Sequence, residues 1–179
     1  MKKSNLENYE VDKGSKRGVR YVGIYYTTDM PAEERRKNGL LQILAGIVQM
    51  MLIFSAIALN CVGTRTIYVI IPLECILFCS LYYVIGSYRF WSSEDKMEQK
   101  DYERAIENPV QIALVAVILN IVSCIGQSVL IIRKTSVLNG YGDYVLLAML
   151  IVLLVLHIIM WKHQKLLFER VKPIRQEKI

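Results

Sequence analysis

Charge, cysteine and catalytic signatures are all scarce in this chain. Asp, Glu, Lys and Arg make up 21% of its 179 residues, below the roughly 25% of an ordinary soluble domain. The four cysteines (Cys61, Cys75, Cys79 and Cys124) all fall inside apolar runs, which excludes a disulfide framework built on loops. Cys75 and Cys79 share a helix face at i,i+4 spacing but do not form Cys-x-x-Cys, so they read as small apolar residues. No Walker A loop, Gly-x-Ser-x-Gly, His-Glu-x-x-His or Gly-x-Gly-x-x-Gly is present. His157 and His163 stand near one end of an apolar run and read as hydrogen-bonding residues, not metal ligands. The polar stretches are too short for a catalytic domain. We expect no enzyme, no cofactor and no metal site. A nucleic-acid partner is also unexpected, because no basic motif is interleaved with base-stacking aromatics.

What the chain has is apolar length. Four blocks, Leu40–Val62, Thr66–Gly86, Val110–Ile132 and Tyr144–Trp161, are between 18 and 23 residues long. A helix rises about 1.5 Å per residue and a hydrocarbon core is about 30 Å thick, so about 20 residues suffice to cross it. Backbone groups in lipid must bond within their own segment, which makes these helices. The expected fold is an all-α integral membrane protein with four transmembrane helices arranged as two antiparallel hairpins. Residues 1–38 are polar and the first block lacks a cleavage pattern, so it is expected to remain as an anchor.

Basic residues set the expected orientation. Of the 22 Lys and Arg, 19 lie in the two ends and the middle connection, leaving Arg65, Arg133 and Lys134 opposite. The positive-inside rule puts both termini and the middle connection in the cytoplasm. The chain then divides into a basic N-terminal segment (1–38), a first hairpin (39–86), a cytoplasmic connector (87–108), a second hairpin (109–161) and a basic tail (162–179). Aromatic residues agree: Tyr82, Tyr83, Tyr88, Trp91 and Trp161 mark inner ends, and Tyr68, Tyr141 and Tyr144 outer ends.

The polar parts carry local signals. Gly18–Thr28 reads as a strand or an interfacial aromatic segment; the interface is favoured, since a lone strand has no evident partner. Thr28 or Asp29 can cap a helix with Pro31 in its first turn. Ser92 or Ser93 before Glu94 and Asp95 marks the start of a short helix in the connector, and Pro109 opens the third span. Asn139-Gly140-Tyr141-Gly142 is a turn signal. After Trp161 the last helix is expected to continue, amphipathically, to Pro173.

Inside the blocks a few polar residues stand out. Glu74, just after Pro72, is the one formally charged side chain deep in a span, where a charge costs about 2.5–3.5 kcal/mol. One reading makes it a proton- or cation-coupling residue, with Gln49, Asn120 and Gln127 lining the route. The other has it bonded to a neighbouring helix. Gln42, Gly46, Gln49, Ala56 and Asn60 fall on one side of the first span, and Ala113, Ala116, Asn120, Ser123 and Gln127 on one side of the third. Small residues allow close approach and amides bond across it, so these read as packing seams.

Two functions compete closely, ahead of a third, a membrane enzyme or redox protein using Cys75, Cys79 or His157. The first is a non-catalytic accessory or regulatory subunit of a membrane complex, its partners the lipid bilayer and either a second copy or another membrane protein. The second is a small transporter or channel subunit coupled through Glu74.

Overall fold

The computed structural model describes residues 9–11, 19–21, 24–133 and 141–174. Strands β1 (Tyr9–Val11), β2 (Val19–Tyr21) and β3 (Tyr25–Thr28) precede helix α1 (Ala32–Ala58). A 3-10 turn at Gly63–Arg65 leads to α2 (Ile67–Ser92), then strand β4 (Lys96–Glu98) and the short α3 (Gln99–Tyr102). A π-turn at Glu103–Glu107 joins α3 to α4 (Asn108–Arg133); α5 (Gly142–Glu169) and β5 (Val171–Ile174) complete the chain. The fold is predominantly helical, and four helices are long and apolar enough to cross a membrane. The basic stretch Lys13–Gly18 and the turn signal at Asn139-Gly140 lie outside the described residues.

The four long helices bury one narrow stripe each. On α1 the buried positions are Arg35, Gly39, Gln42, Gly46, Gln49, Ile53 and Ala56, in alternating steps of four and three. On α5 they are Asp143, Leu146, Leu150, Leu153, His157, Met160, Gln164 and Leu167, in the same alternation. The buried positions of α2 and α4 contain the same rhythm, from Val69 to Phe90 and from Pro109 to Leu130. This is the 3.5-residue repeat of left-handed helix bundles. Its polarity is inverted. The inward stripes hold glutamine, asparagine, serine and glycine, while the outward faces carry Leu40, Leu44, Met51 and Phe54 on α1 and Ile151, Val155 and Ile159 on α5.

Helices α2 and α4 touch through two proline–glycine pairs. Pro72 has no N–H for the carbonyl one turn earlier, and that carbonyl, Tyr68 O, would lie 3.1 Å from a Cβ on Gly126 of α4. Pro109 of α4 likewise offers no donor, and Arg104 O would lie 3.3 Å from a Cβ on Gly86 of α2. In each case a glycine lets one backbone settle on a carbonyl that a proline has released, where Cα–H contacts replace part of the lost bond. Pro72 is thus part of the helix packing.

At one end, β3 lies between β4 and β5, antiparallel to both. Tyr26 pairs with Met97 on one side and Pro173 on the other. Its ring stacks on Tyr102 with centroids 3.9 Å apart, over a small core of Met30, Phe90, Met97, Ile106 and Leu167. This overturns the interfacial reading of Tyr25–Thr28. The strand has two partners, drawn from positions about 70 and 145 residues away, and Pro173 is tolerated because β5 is an edge strand.

Three further expectations are corrected here. The connector does not start a separate helix at Ser92 or Ser93: Ser93 Oγ donates to Phe90 O at 2.7 Å and ends α2 with an extended backbone. The helix begins at Gln99 instead and runs into α4 without a break, so Pro109 sits inside it. Asn108 N–H bonds Glu103 O, the five-residue step that absorbs the proline. The last helix stops at Glu169, because Val171–Ile174 pair with β3. Neither Thr28 nor Asp29 caps α1, which starts from Pro31; Asp29 pairs with Lys172 at 2.8 Å, and that carboxylate raises the Lys172 pKa.

Arg35 opens the α1 stripe and is tied to Asp95, just before β4, at 2.8 Å. Arg35 is 5% exposed and Asp95 79% exposed. An exposed pair contributes about 0–1 kcal/mol, whereas stranding a buried charge costs about 3–5 kcal/mol. Asp95→Ala is therefore expected to destabilise the fold by about 2 kcal/mol, between those limits. Glu34→Ala, which breaks the half-exposed Arg170 pair, should cost under about 1 kcal/mol. Thermal unfolding of the two variants side by side checks the order.

Candidate functional site: a polar pocket inside the bundle

The stripes bring polar groups of α1, α2 and α5 to one level, beside two alanines of α4. Gln49 comes from α1, Ser80 and Tyr83 from α2, Ala113 and Ala116 from α4, and His157 and Met160 from α5. They line a pocket of about 10 Å³, the space of one water-sized guest and far too small for an organic substrate. The two alanines make the room; larger residues at those stripe positions would fill it.

The hydrogen bonds around this pocket are incomplete. Gln49 Nε2 donates to Met160 Sδ at 2.7 Å. His157 Nδ1 lies 2.7 Å from Leu153 O. A carbonyl only accepts, so Nδ1 carries the proton and Nε2 presents a lone pair. Asn120 lies beside the ring, one end of its amide 3.3 Å from Nδ1. With the amide oxygen at that end, it accepts from Leu154 N at 3.1 Å while the nitrogen donates to Leu150 O at 3.2 Å. That orientation also removes a clash between two donors at His157. Among the described residues, three groups lining the pocket, Ser80 Oγ, Tyr83 OH and His157 Nε2, have no hydrogen-bond partner. The pocket therefore offers two hydroxyls and one ring acceptor to a small polar guest.

Towards the sheet, Gln42 Nε2 meets His163 Nδ1 at 3.3 Å, and Gln164 is buried beside it in the α5 stripe. In the other direction the stripes of α1, α2 and α5 turn apolar, while α4 keeps Asn120, Ser123 and Gln127 buried. Ile53, Leu73, Ile76, Leu146, Leu150 and Leu153 form an apolar plug. Beyond the plug, Asp143 is fully buried at the start of α5. Its Oδ1 accepts from Gly63 N at 2.7 Å and from Gln127 Nε2 at 3.1 Å. Gln127 Nε2 also reaches Asp143 O at 3.0 Å. A Cβ at residue 63 would push on Gln127 Oε1 and on the end of the Leu146 side chain, so glycine leaves the Gln127–Asp143 contacts undisturbed. An acid in the first turn also suits the helix dipole.

The sequence reading grouped Glu74 with Gln49, Asn120 and Gln127, and the structure separates them. Gln49, Asn120 and Gln127 are buried, while Glu74 points outward beside Ile71, Cys75 and Phe78. It follows the buried Leu73 by one residue, and one residue is 100° of helix. Asn60 also leaves its expected place. It is four residues beyond Ala56 and keeps the register, but α1 has ended; Asn60 takes a left-handed φ of 47°, is exposed, and accepts from Arg65 at 2.8 Å. Asparagine tolerates that conformation at a helix end. Gln42, Gly46, Ala56, Ala113, Ala116 and Ser123 are all buried in the stripes. Asp143 was missed. In the sequence it is an ordinary helix-start acid, and only its partners across the bundle, Gly63 and Gln127, distinguish it. Among the described residues no group of three or more His, Cys, Asp and Glu could hold a metal ion.

Asp143→Ala removes the acceptor of two buried donors and is expected to cost about 2–4 kcal/mol, at about 1–3 kcal/mol per stranded group. Asp143→Asn keeps one oxygen and should cost less. Thermal unfolding decides; a shift within about 0.5 kcal/mol for the alanine variant would show that this cluster does not hold the end of the bundle together.

No known protein family matches the chain, and neither does any curated protein or solved structure.

Proposed function

We propose that the protein is a multi-pass membrane protein acting as a non-catalytic accessory or regulatory subunit of a membrane assembly, with both termini and the connector 87–108 on the cytoplasmic side. Inverted amphipathicity supports the membrane part. Polar stripes facing inward and leucine, isoleucine, valine and phenylalanine facing outward suit a lipid surround, where small and amide residues hold helices together. The excess of basic residues at the sheet end supports the orientation.

The observation that carries the subunit reading is the outward position of Glu74. A carboxyl facing hydrocarbon costs about 2.5–3.5 kcal/mol, and its outward neighbours Ile71 and Phe78 offer it nothing polar. A partner helix pressed on this face of α2 supplies the missing hydrogen bond. The transport alternative changes form on the same ground. With Glu74 away from Gln49, Asn120 and Gln127, and an apolar plug on the stripes of α1, α2 and α5, a conducting route would lie between subunits and not along the bundle axis.

Cys75, exposed next to Glu74, is a native reporter. With Cys61, Cys79 and Cys124 replaced by alanine, oxidation in native membranes should link Cys75 to a second subunit. The mass of the product separates a second copy from another protein. Glu74→Leu should abolish the link and Glu74→Gln should preserve it. A lone monomer in gentle detergent, with Cys75 unlinked in membranes, would sink the subunit reading.

A further inference from the structure

Two arginines near the sheet end share a cleft without sharing an acid. Arg89 lies in the last turn of α2 and Arg104 in the π-turn ahead of α4. Gly86 is the reason they meet. It is one turn before Arg89, and its bare Cα lets α2 settle against Arg104 O and the Pro109 ring. The five-residue turn that accommodates Pro109 carries Arg104 itself. Tyr82, Ile85, Gly86, Arg89 and Arg104 line the resulting cleft of about 270 Å³, near the lower end of ligand-pocket size.

The lining of this cleft includes no carboxylate, whereas Arg89 also borders a neighbouring cavity that holds Glu94, Glu98 and Asp101. Arg35, Arg170 and Lys172, at the same end, each hold an acid. Among the described residues Arg89 and Arg104 hold none, and both are exposed. Two guanidiniums brought together without an acid favour an anion, and the planar fork of arginine suits phosphate oxygens.

The surface leading away from the cleft is apolar. Ile85, Tyr82 and Phe78 follow Arg89 at helical spacing along the outer face of α2, and Phe78 is 70% exposed. A charged head at Arg89 and Arg104 with a hydrocarbon track along Ile85 and Phe78 is the imprint of an amphiphile. We propose that this cleft binds the phosphate headgroup of an anionic phospholipid of the cytoplasmic leaflet, its acyl chain lying along α2. The inference rests on the membrane reading above, because only a membrane-embedded α2 places the track in hydrocarbon.

The test uses the full chain in vesicles of phosphatidylcholine with and without phosphatidylglycerol. Alkaline carbonate extraction comes first. Release into the aqueous phase overturns the membrane reading, and this site with it. For protein that stays in the bilayer, native mass spectrometry after detergent release counts retained lipids. The wild type should keep phosphatidylglycerol over phosphatidylcholine by about tenfold or more. The Arg89→Ala, Arg104→Ala double variant should lose that preference, and the corresponding double lysine variant should keep part of it. Arg133→Ala, at the opposite end, should behave as wild type. Equal phosphatidylglycerol retention by wild type and the double alanine variant overturns the site while leaving the membrane reading intact. Displacement of the lipid by an equal concentration of inorganic phosphate overturns the lipid assignment in favour of a soluble anion.

Discussion

Every long helix must bury its most polar stripe, and the rest of the architecture follows from that constraint. Apart from Glu74, the outward faces of the four helices within the apolar blocks are mostly hydrocarbon, so Gln42, Gln49, Asn120, Gln127 and His157 find their partners on side chains and backbones inside the bundle. A buried amide without a partner costs about 1–3 kcal/mol. The bonds observed across the bundle, Gln49 to Met160, Gln42 to His163 and Gln127 to Asp143, are therefore also what fixes the relative level of the helices. Sliding one helix by a turn would strand several groups at once. Leucine contacts alone would tolerate such slips far better, which makes the polar stripes the source of register.

The stripes are not uniform along their length. On α1, α2 and α5 the half nearer the sheet is the polar one and the half nearer Gly63 forms the apolar plug, whereas α4 carries its buried polar residues, Asn120, Ser123 and Gln127, in the half nearer Gly63. Polar atoms stay unmatched in the pocket at Ser80, Tyr83 and His157, and also at the far end at Gln127 Oε1 and Asp143 Oδ2. A packed interior of this kind holds its shape through close backbone approach as much as through side chains. Gly86 and Gly126 show the principle, each filling the space beside a carbonyl that a proline has released.

The three-stranded sheet has a different task. It joins the segment before α1, the segment between α2 and α3 and the segment after α5 into one clasp. Tyr26 stacked on Tyr102 and the Arg35–Asp95 pair fasten that clasp to the helices. Arg89 also lines the cavity next to this sheet, with Tyr25, Lys96 and Met97.

The sequence by itself determined the four helices and their approximate extents, because uninterrupted apolar length is a local property that needs no partner to be read. It also determined most of the inward stripes, since Gln42, Gly46, Gln49 and Ala56 repeat at helical spacing. Tertiary structure decided the rest, for reasons that are all nonlocal. A three-residue strand such as Lys96–Glu98 carries too little pattern to announce itself, and β3 becomes a strand only because β4 and β5 arrive beside it. Glu74 and Leu73 are adjacent in the chain, yet 100° of rotation sends one outward and the other into the core. Asp143 has the sequence context of any helix-start acid; its importance arises from Gly63 and Gln127, which are 80 and 16 residues away and meet it only in the folded bundle.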